Sequence, residues 1–378
     1  MKITKVEAIE LRLPKVEEIT AASQDTLIIK IHTDAGIVGI GEVDSSPRVA
    51  KAVLEAPFSH NVASGFSRLL IGMNPLDIEV IYEKLYQASF YYGRRAVVIH
   101  TLGGIDMALW DIAGKYYKQP IYQLLGGAFH RDFRAYASTL FGADGKTTRD
   151  IGKRWVDAGF TAVKFGWEPM GESEKLDLEL VAGGRRGVGD KNDLLIDAGC
   201  CWDTKTAIRR SRQFEEFNVF WLEEPLAQDN LEGYKHLSEA SNIPIAAGEG
   251  EAGRYAWRDL IERGKIDIAQ VDLARNGFSE ARRIANMAED HGLRVVNHCY
   301  KTNISVAACL HWLATCKTGF IFEYSVDEGP LRLYLTQQPL KAVDGVIRVP
   351  NEPGLGVDLN EEIVSRYCVS VSSGKPAV

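Results

Sequence analysis

The feature that most constrains this chain is a repeated alternation of short apolar runs with polar helical stretches, which begins near residue 132. Eight apolar runs occur in the order RAYAS, TAVKFGW, DLLIDAG, VFWLEEP, IPIAAGE, DIAQVD, LRVVNH and GFIFEY. Strands that alternate with helices form parallel sheets, and eight such units predict a closed α/β barrel. An open doubly wound sheet is the alternative, but no glycine-rich phosphate loop follows the first strand.

The segments on either side of the predicted barrel have a different pattern. KITKVEAIELRL, DTLIIKIHTDAG and VGIGEV alternate as antiparallel strands do, and two helical stretches follow them. We therefore expect an α+β domain over residues 1–128 and the barrel over residues 129–335. Residues 336–378 include the turn-rich VPNEPGLGVDL, and we expect this segment to return to the first domain.

Composition narrows the possible functions of the chain. It has 378 residues and a net charge of −7, with no basic run long enough to follow a phosphate backbone, so we expect no nucleic-acid partner. We find no signal peptide and no stretch close to the ~20 apolar residues of a membrane span. The six cysteines include no CxxC pair. These observations indicate reduced thiols, a cytoplasmic location and no membrane partner.

Ionisable residues recur at the ends of the predicted barrel strands. They are spaced 23 to 33 residues apart, close to one strand–helix unit each, and are Lys164, Asp197, Glu223, Glu249, Asp272, His298 and Glu323. Each alone has an ordinary structural explanation, such as capping the following helix. Their shared position instead favours one site on the C-terminal rim of the barrel, where this fold builds its active sites.

Three of these residues indicate a metal site. Asp197, Glu223 and Glu249 end consecutive strands, and three converging carboxylates repel one another unless a cation lies among them. Oxygen ligands with open coordination positions suit Mg²⁺, and zinc is disfavoured because no cysteine or histidine joins the three. The sequence therefore predicts a magnesium site.

Two of the three ligands have an alternative close by in the sequence. In WLEEP, the inward direction of Trp221 favours Glu223 over Glu224 by strand alternation. In AAGEGE, Glu249 is nearest to the strand end, and Glu251 is the alternative.

The motifs GIDMALWDIAGK, IDAG, WLEEP, AAGE, QVDLARNGF, VVNH, EY and PGLGV occur in this order along nearly the whole chain. In this set and order the chain resembles the enolase superfamily and, within it, the mandelate racemase-like subgroup. The resemblance implies a modified (β/α)₇β TIM barrel with an N-terminal α+β capping domain that the C-terminal segment completes. It also implies a homo-oligomer with one Mg²⁺ per active site, held by Asp197, Glu223 and Glu249.

The resemblance further implies catalytic roles. The shared reaction step is abstraction of the proton α to a carboxylate, with Asp272 orienting His298 and Glu323 near the substrate carboxylate. The chemistry agrees, because a carboxylate-backed imidazole is a competent base near neutral pH. Lys164 and a protonated Glu323 would offset the charge that develops on the substrate.

One departure from the subgroup pattern bears on the reaction. The subgroup usually carries Lys-x-Lys at the second barrel strand, and this chain has Lys164-Phe165-Gly166, so the second acid/base is missing. A racemase with two bases needs one on each face of the carbon, whereas a dehydratase works with His298 alone. Tyr136 is the one other group that we consider for the opposite face.

The sequence thus predicts a lyase that removes water from a small-molecule carboxylate, a sugar acid of the aldonate or aldarate class, to give a 2-keto-3-deoxy acid. The enzymatic alternatives are a racemase or epimerase, a cycloisomerase, and an aldolase-type barrel that uses Lys164 as a Schiff base. The non-enzymatic alternative is a metal-binding barrel without catalysis.

The sequence does not identify the sugar acid. The resemblance places substrate selection in capping-domain loops near residues 15–25 and 44–50, where Arg48 lies. We interpret Arg94, Arg95 and His100 of YYGRRAVVIH as surface or packing residues.

Overall fold

The computed structural model describes residues 1–19 and 22–373 and contains two sheets. The smaller sheet is antiparallel, with strand order β13-β1-β2-β3. Its strands are β1 (Ile3–Arg12), β2 (Asp25–Thr33), β3 (Val38–Val43) and β13 (Cys368–Ser373). The turn TDAG joins β2 to β3, and Gly36 adopts a φ of 75° there, a conformation that favours glycine.

Five helices and a short 3₁₀ turn (Ala22–Gln24) accompany this sheet. The helices are α1 (Pro47–Glu55), α2 (Phe66–Leu70), α3 (Ile78–Gln87), α4 (Val97–Tyr117) and α5 (Ile121–Leu124). By length and composition α4 qualifies as a membrane span, which corrects our finding that no stretch does so. Most of α4 is buried inside the protein, as in the core helix of a folded domain.

The larger sheet is a parallel barrel. Its strands are β4 (Asp132–Leu140), β5 (Ala162–Gly166), β6 (Asp193–Asp197), β7 (Val219–Glu223), β8 (Ile245–Ala247), β9 (Ile268–Asp272), β10 (Arg294–His298) and β11 (Phe322–Ser325). The helices between them are α6 (Gly145–Asp157), α7 (Glu174–Val188), α8 (Thr204–Phe214), α9 (Leu231–Ala240), α10 (Arg254–Asp259), α11 (Leu273–Asp290) and α12 (Asn303–Ala314). Seven strand–helix units and a final strand confirm the predicted (β/α)₇β barrel with its capping domain.

The barrel closes at the seam between β10 and β11 through a side chain. Strands β4 and β11 pair directly, whereas the Asn297 amide of β10 bridges to the backbone of Glu323. Asn297 Nδ2 donates to the Glu323 carbonyl at 3.2 Å, and Glu323 N donates to Asn297 Oδ1 at 3.0 Å. This clamp fixes the height at which Glu323 enters the barrel.

One inward-facing layer fills the barrel with one residue from each strand or its immediate start. The layer consists of Tyr136, Ala162, Leu195, Trp221, Ala246, Ile268, Val296 and Ile321. Because side chains alternate along a strand, the next inward position lies two residues later, toward the C-terminal rim. That position is Lys164, Asp197, Glu223, His298 and Glu323 on five of the strands. The alternation of side chains along the strands therefore places most of the predicted site residues on the C-terminal rim.

Helix α4 joins the cap to the barrel by close packing on α11. A Cβ added to Gly103 would lie 2.8 Å from the backbone nitrogen of Gly277, so only glycine allows this approach. Three residues further along α4, Asp106 Oδ2 accepts a hydrogen bond from Ser279 N at 3.0 Å. This helix contact thus accounts for Asp106 of the motif GIDMALWDIAGK and for the glycine that directly precedes the motif.

The C-terminal segment contacts both sheets. It contains α13 (Pro330–Tyr334), β12 (Val346–Arg348) and α14 (Glu361–Tyr367), and β12 pairs antiparallel with barrel strand β4. Strand β13 then pairs antiparallel with β1 of the smaller sheet. The last five residues of the expected segment, 374–378, lie outside the described residues.

A buried carboxylate, Asp111, holds this segment to the cap. Its Oδ2 accepts from Ile40 N at 3.0 Å and its Oδ1 from Leu355 N at 2.9 Å. Asp111 is fully buried, and Lys115 pairs with it at 2.6 Å. The two aspartates of GIDMALWDIAGK therefore fasten α4 to different partners.

We expect Asp111→Ala to lower the free energy of unfolding by about 2–4 kcal/mol, because two buried N–H groups lose their acceptor. Denaturant unfolding of the full chain would measure this. The control is Asp157→Ala, which removes an exposed carboxylate that pairs with Lys153, and we expect a change below about 0.5 kcal/mol. Equal effects of the two substitutions would contradict the role of Asp111.

Candidate active site

A cavity of about 370 Å³ opens at the C-terminal rim, between the barrel and the cap. Lys164, Asp197, Glu249, His298 and Glu323 line it, so the structure brings together residues more than 150 positions apart in the chain. The two other strand-end residues, Glu223 and Asp272, contact members of this set. A larger cleft of about 760 Å³ between α3, the start of α4 and α10 contains none of these seven residues.

Three carboxylates converge on one side of the cavity. Asp197, Glu223 and Glu249 each place an oxygen atom within 4.8 Å of the other two, and all three are buried. Burial and the neighbouring Glu223 raise the pKa of Asp197 well above its ordinary value. Burial also raises the pKa of Glu223 to about 7, although Lys164 opposes the shift. Such a buried set of oxygen ligands suits a hard divalent cation.

The alternative ligands Glu224 and Glu251 are not part of this cluster in the described structure. Glu224 turns away from it: Oε1 accepts from Gly248 N at 3.1 Å and Oε2 from Gln228 Nε2 at 3.0 Å. Its carboxylate therefore supports the loop after β8.

The turn at Gly248 directs Glu249 into the cluster. By strand alternation Gly248 occupies the inward position, and its φ of +122° strongly favours glycine. A Cβ at this position would lie 2.2 Å from the Trp257 ring. The chain turns there, so Glu249 converges with the carboxylates of β6 and β7 even though β8 ends at Ala247.

Lys164 is the cation at the centre of the site. Its Nζ donates to the Glu223 carboxylate and lies 2.7 Å from Glu323 Oε1 and 3.9 Å from Asp197 Oδ2. Burial alone would lower the pKa of Lys164, but Glu223 and Glu323 outweigh it and raise the pKa well above the ordinary value. The side chain is therefore a permanent positive charge at the end of a buried strand.

His298 and Asp272 form a hydrogen-bonded pair. His298 Nδ1 lies 2.6 Å from Asp272 Oδ2, and Asp272 Oδ1 accepts from Ala274 N at 2.6 Å as the N-cap of α11. The other ring nitrogen, Nε2, lies 3.4 Å from Glu249 Oε2, beside the carboxylate cluster. Burial lowers the pKa of His298, but Glu249, Glu323 and Asp272 outweigh burial and raise it well above the ordinary value. The surrounding carboxylates therefore favour the protonated imidazole, and a cation bound at Glu249 would oppose that effect.

Glu323 differs from its expected state. Its Oε1 accepts from Ser138 Oγ at 2.8 Å and its Oε2 from Cys299 N at 2.7 Å. Burial raises its pKa, but Lys164 and His298 outweigh that effect and hold the pKa at about 2. These contacts favour an ionised Glu323 that pairs with Lys164, in contrast to the expected protonated donor.

Three charged residues near the rim, which are Arg275, Lys301 and Asp44, were not singled out by the sequence analysis. Arg275, one turn after Asp272 in QVDLARNGF, lines the cavity and lies 2.9 Å from Asp44 of the cap. Lys301 Nζ lies 3.5 Å from the same aspartate. Asp44, Asp272 and His298 also cluster within ligand distance, but these two cations already neutralise Asp44. The available signal for Arg275 was its spacing from Asp272, and Asp44 begins the loop 44–50 that the sequence analysis had associated with substrate selection.

The opposite face of the cavity contains no second base in the expected places. A Cβ at Gly166 would lie 2.8 Å from Asp197 Oδ2, so this position makes room for a member of the carboxylate cluster. Tyr136 is completely buried below the rim, with its ring centroid 5.7 Å from Lys164 Nζ, and is not among the described residues that line the cavity.

Comparison with known proteins identifies the family of this chain. Residues 2–126 match the family described as mandelate racemase/muconate lactonizing enzyme, N-terminal domain, and residues 147–363 match the enolase C-terminal domain-like family. The chain belongs to the mandelate racemase/muconate lactonizing enzyme family of the enolase superfamily. The resemblance inferred from the sequence motifs is thereby confirmed.

Relatives in this family include sugar-acid enzymes. The chain is 33% identical to the D-galactarolactone cycloisomerase of Agrobacterium fabrum, over 97% of this chain and 99% of that protein. It is 32% identical to the D-galactonate dehydratase of Pectobacterium atrosepticum, over 96% and 94% of the two chains. The crystal structure of the 3,6-anhydro-D-galactonate cycloisomerase of Zobellia galactanivorans superposes with a TM-score of 0.88 at 29% identity, covering 98% and 100% of the chains.

The carboxylate cluster predicts how the stability of the metal-free protein depends on pH. The pKa of Glu223 is about 7 in the folded state, above that of an unfolded glutamate, so the folded state binds more protons between about pH 4.5 and 7. Stability should therefore fall as pH rises through this window. Thermal unfolding at a series of pH values would measure the slope, which Glu223→Gln should reduce. An unchanged slope in that variant would contradict the assignment.

Proposed function

We propose that this enzyme is a Mg²⁺-dependent acid-sugar dehydratase that converts an aldonate or aldarate into a 2-keto-3-deoxy acid. The observation that carries the proposal is the asymmetry of the cavity. One side holds the His298–Asp272 pair, while Gly166 stands where the family usually has a second acid/base. Removal and return of a proton on one face suits elimination better than inversion of a carbon.

The metal part of the proposal rests on the fit of the carboxylates. Asp197, Glu223 and Glu249 would hold Mg²⁺, because a divalent cation relieves the repulsion that raises the pKa values of Asp197 and Glu223. When bound, Mg²⁺ supplies Lewis-acid stabilisation of negative charge on the substrate carboxylate.

His298 would perform the first chemical step. Asp272 holds Nδ1, so Nε2 takes the proton from the carbon next to the substrate carboxylate. The C–H electron pair moves into the carboxylate and forms an enolate. Lys164, which stays charged, would stabilise the extra negative charge where it develops.

The second step would return the proton. The enolate electron pair forms the α,β double bond as the bond between the β-carbon and its hydroxyl breaks. The proton on His298 Nε2 moves to the departing oxygen, which leaves as water. The enol product then tautomerises to the 2-keto acid, so atoms and charge balance without a further reactant.

A cycloisomerase is the second candidate, because two of the relatives above carry that name. It would use the same proton abstraction. If the β-oxygen belongs to a ring, its departure opens the ring and no water is released. Homo-oligomeric assembly and cytoplasmic location, by contrast, remain predictions.

We expect chelation to abolish turnover and added Mg²⁺ to restore it. Asp197→Asn and Glu223→Gln should weaken Mg²⁺ binding at least tenfold, because each removes a charged oxygen ligand. Calorimetric titration of Mg²⁺ would measure this directly. The control is Glu262→Gln on the outside of the barrel, where the carboxylate is exposed and binding should not change. Full activity in a metal-free preparation would contradict the metal assignment.

Turnover of a panel of sugar acids in deuterated water should give a keto acid without inverted starting acid. His298→Asn should lose turnover and α-proton exchange together, by about 10²–10⁴-fold, because the base is gone. Asp272→Asn should also be severely impaired, since the imidazole loses its orienting carboxylate. Asp267→Asn, which alters a partly buried carboxylate outside the rim, is the control.

Product analysis by NMR separates the possibilities. An epimer as the main product would reject the one-base dehydratase. Conversion of a lactone or anhydro acid without loss of water would favour the cycloisomerase. Proton exchange that survives in His298→Asn would show that another residue is the base.

A further inference from the structure

His100 is a half-buried polar side chain that the proposed mechanism does not use. It lies in the first turn of α4 and lines the rim cavity together with Arg275 and His298. Both of its ring nitrogens are buried, and neither hydrogen-bonds to another side chain among the described residues, although the backbone of Asp44 lies close enough to raise its pKa. Buried polar groups are almost always satisfied, so this ring marks a position that a ligand would complete. We expected His100 to be a surface or packing residue, and the structure places it in the lining of the cavity.

The packing of α4 explains why His100 reaches the cavity. His100 lies one turn before Gly103, which allows α4 to touch the backbone of α11 at Gly277. Helix α11 begins directly after Asp272 and carries Arg275 on the rim. The Asp106–Ser279 hydrogen bond fixes the same contact one turn further along α4. The cap thus holds the imidazole rigidly above the proposed catalytic residues.

The chemistry of the ring selects its ligand. Burial and the charge of Arg275 lower the pKa of His100 to about 4, although Asp44 opposes the shift. A neutral imidazole has one donor and one acceptor, which match a hydroxyl group, whereas a carboxylate offers acceptors alone.

The cations of the cavity are already paired. Arg275 pairs with Asp44, and Lys164 pairs with Glu223 and Glu323. No unpaired cation among the described lining residues is left for a second carboxylate near the cap.

We propose that His100 binds a hydroxyl group at the cap-facing end of the substrate, and that this contact selects polyhydroxy monocarboxylates, the aldonates, over dicarboxylates. The inference rests on the proposed sugar-acid function but not on which reaction follows. His100 is a specificity-determining residue in this proposal, and the proton transfers remain with His298.

Binding without turnover tests the proposal. Mg²⁺-loaded protein with His298→Asn would be titrated calorimetrically with aldonates, the matching aldarates, and an aldonate that lacks its terminal hydroxyl. We expect aldonates to bind more tightly than aldarates. Adding His100→Leu should weaken aldonate binding about 10–100-fold and leave the deoxy analogue unchanged, because a site built for a hydroxyl discriminates strongly against its absence.

Three variants separate recognition from structure. His100→Leu should keep or raise the melting temperature, because it removes unsatisfied buried nitrogens. His100→Gln, which keeps a donor and an acceptor, should retain most of the aldonate affinity. His236→Leu, at an exposed histidine of α9, should change neither affinity nor the preference for aldonates.

The outcomes also separate this inference from the proposed reaction. If the wild-type enzyme epimerises an aldonate and the binding of that aldonate depends on His100, the proposed dehydration is rejected. The proposed role of His100 is then retained. If dehydration occurs and His100→Leu binds aldonates as wild type does, the inference is overturned and the dehydratase stands. Preference for aldarates, or no binding of any polyhydroxy acid, would also overturn it.

Discussion

The electrostatic balance around Lys164 is the interaction on which the site depends. One buried ammonium group serves Glu223 and Glu323 directly and Asp197 at longer range, while Glu249 closes the cluster from the next strand. One ammonium group does not balance four buried carboxylates, and burial together with the charge of Glu223 raises the pKa of Asp197. The folded protein therefore holds a region of negative charge that a divalent cation would complete. A site of this kind trades stability for binding, and the closed barrel supplies the rigidity that keeps the carboxylates together.

The cap contributes more than a cover to this arrangement. Asp44 from the end of β3 pairs with Arg275, and the close approach at Gly103 aligns α4 with α11. These contacts fix the cap on the side of the barrel where His298 and Asp272 lie. On the far side of that pair, Asn297 closes the barrel and sets the height of Glu323. The Asp44–Arg275 pair, the Gly103 contact and the Asn297 hydrogen bonds thus fix the walls of the cavity, and each of them involves only a few residues.

The sequence predicted those parts of the site that follow from strand periodicity. Lys164, Asp197, Glu223, His298 and Glu323 all lie two residues beyond one inward layer, so the pleat alone places them on the rim. Glu249 does not follow this rule, because the turn at Gly248 shifts the phase after a short strand. The ionised state of Glu323 and the Asp44–Arg275 pair depend on groups distant in sequence. These features can be read only from the three-dimensional arrangement, and so can the position of His100 at the cavity.

Elimination of water and ring opening share the same first step, so the rim residues serve both reactions equally. What differs is the β-oxygen: a free hydroxyl leaves as water, whereas a ring oxygen stays attached to the product. The substrate that the cavity admits would decide between them, and helix α4 of the cap contributes His100 to the lining of that cavity. In our proposal, an open-chain acid bound at the carboxylate cluster would extend toward α4, where His100 lines the cavity. The proposed hydroxyl contact of His100 therefore bears on which substrate binds, whereas the position of the β-oxygen in that substrate decides between release of water and ring opening.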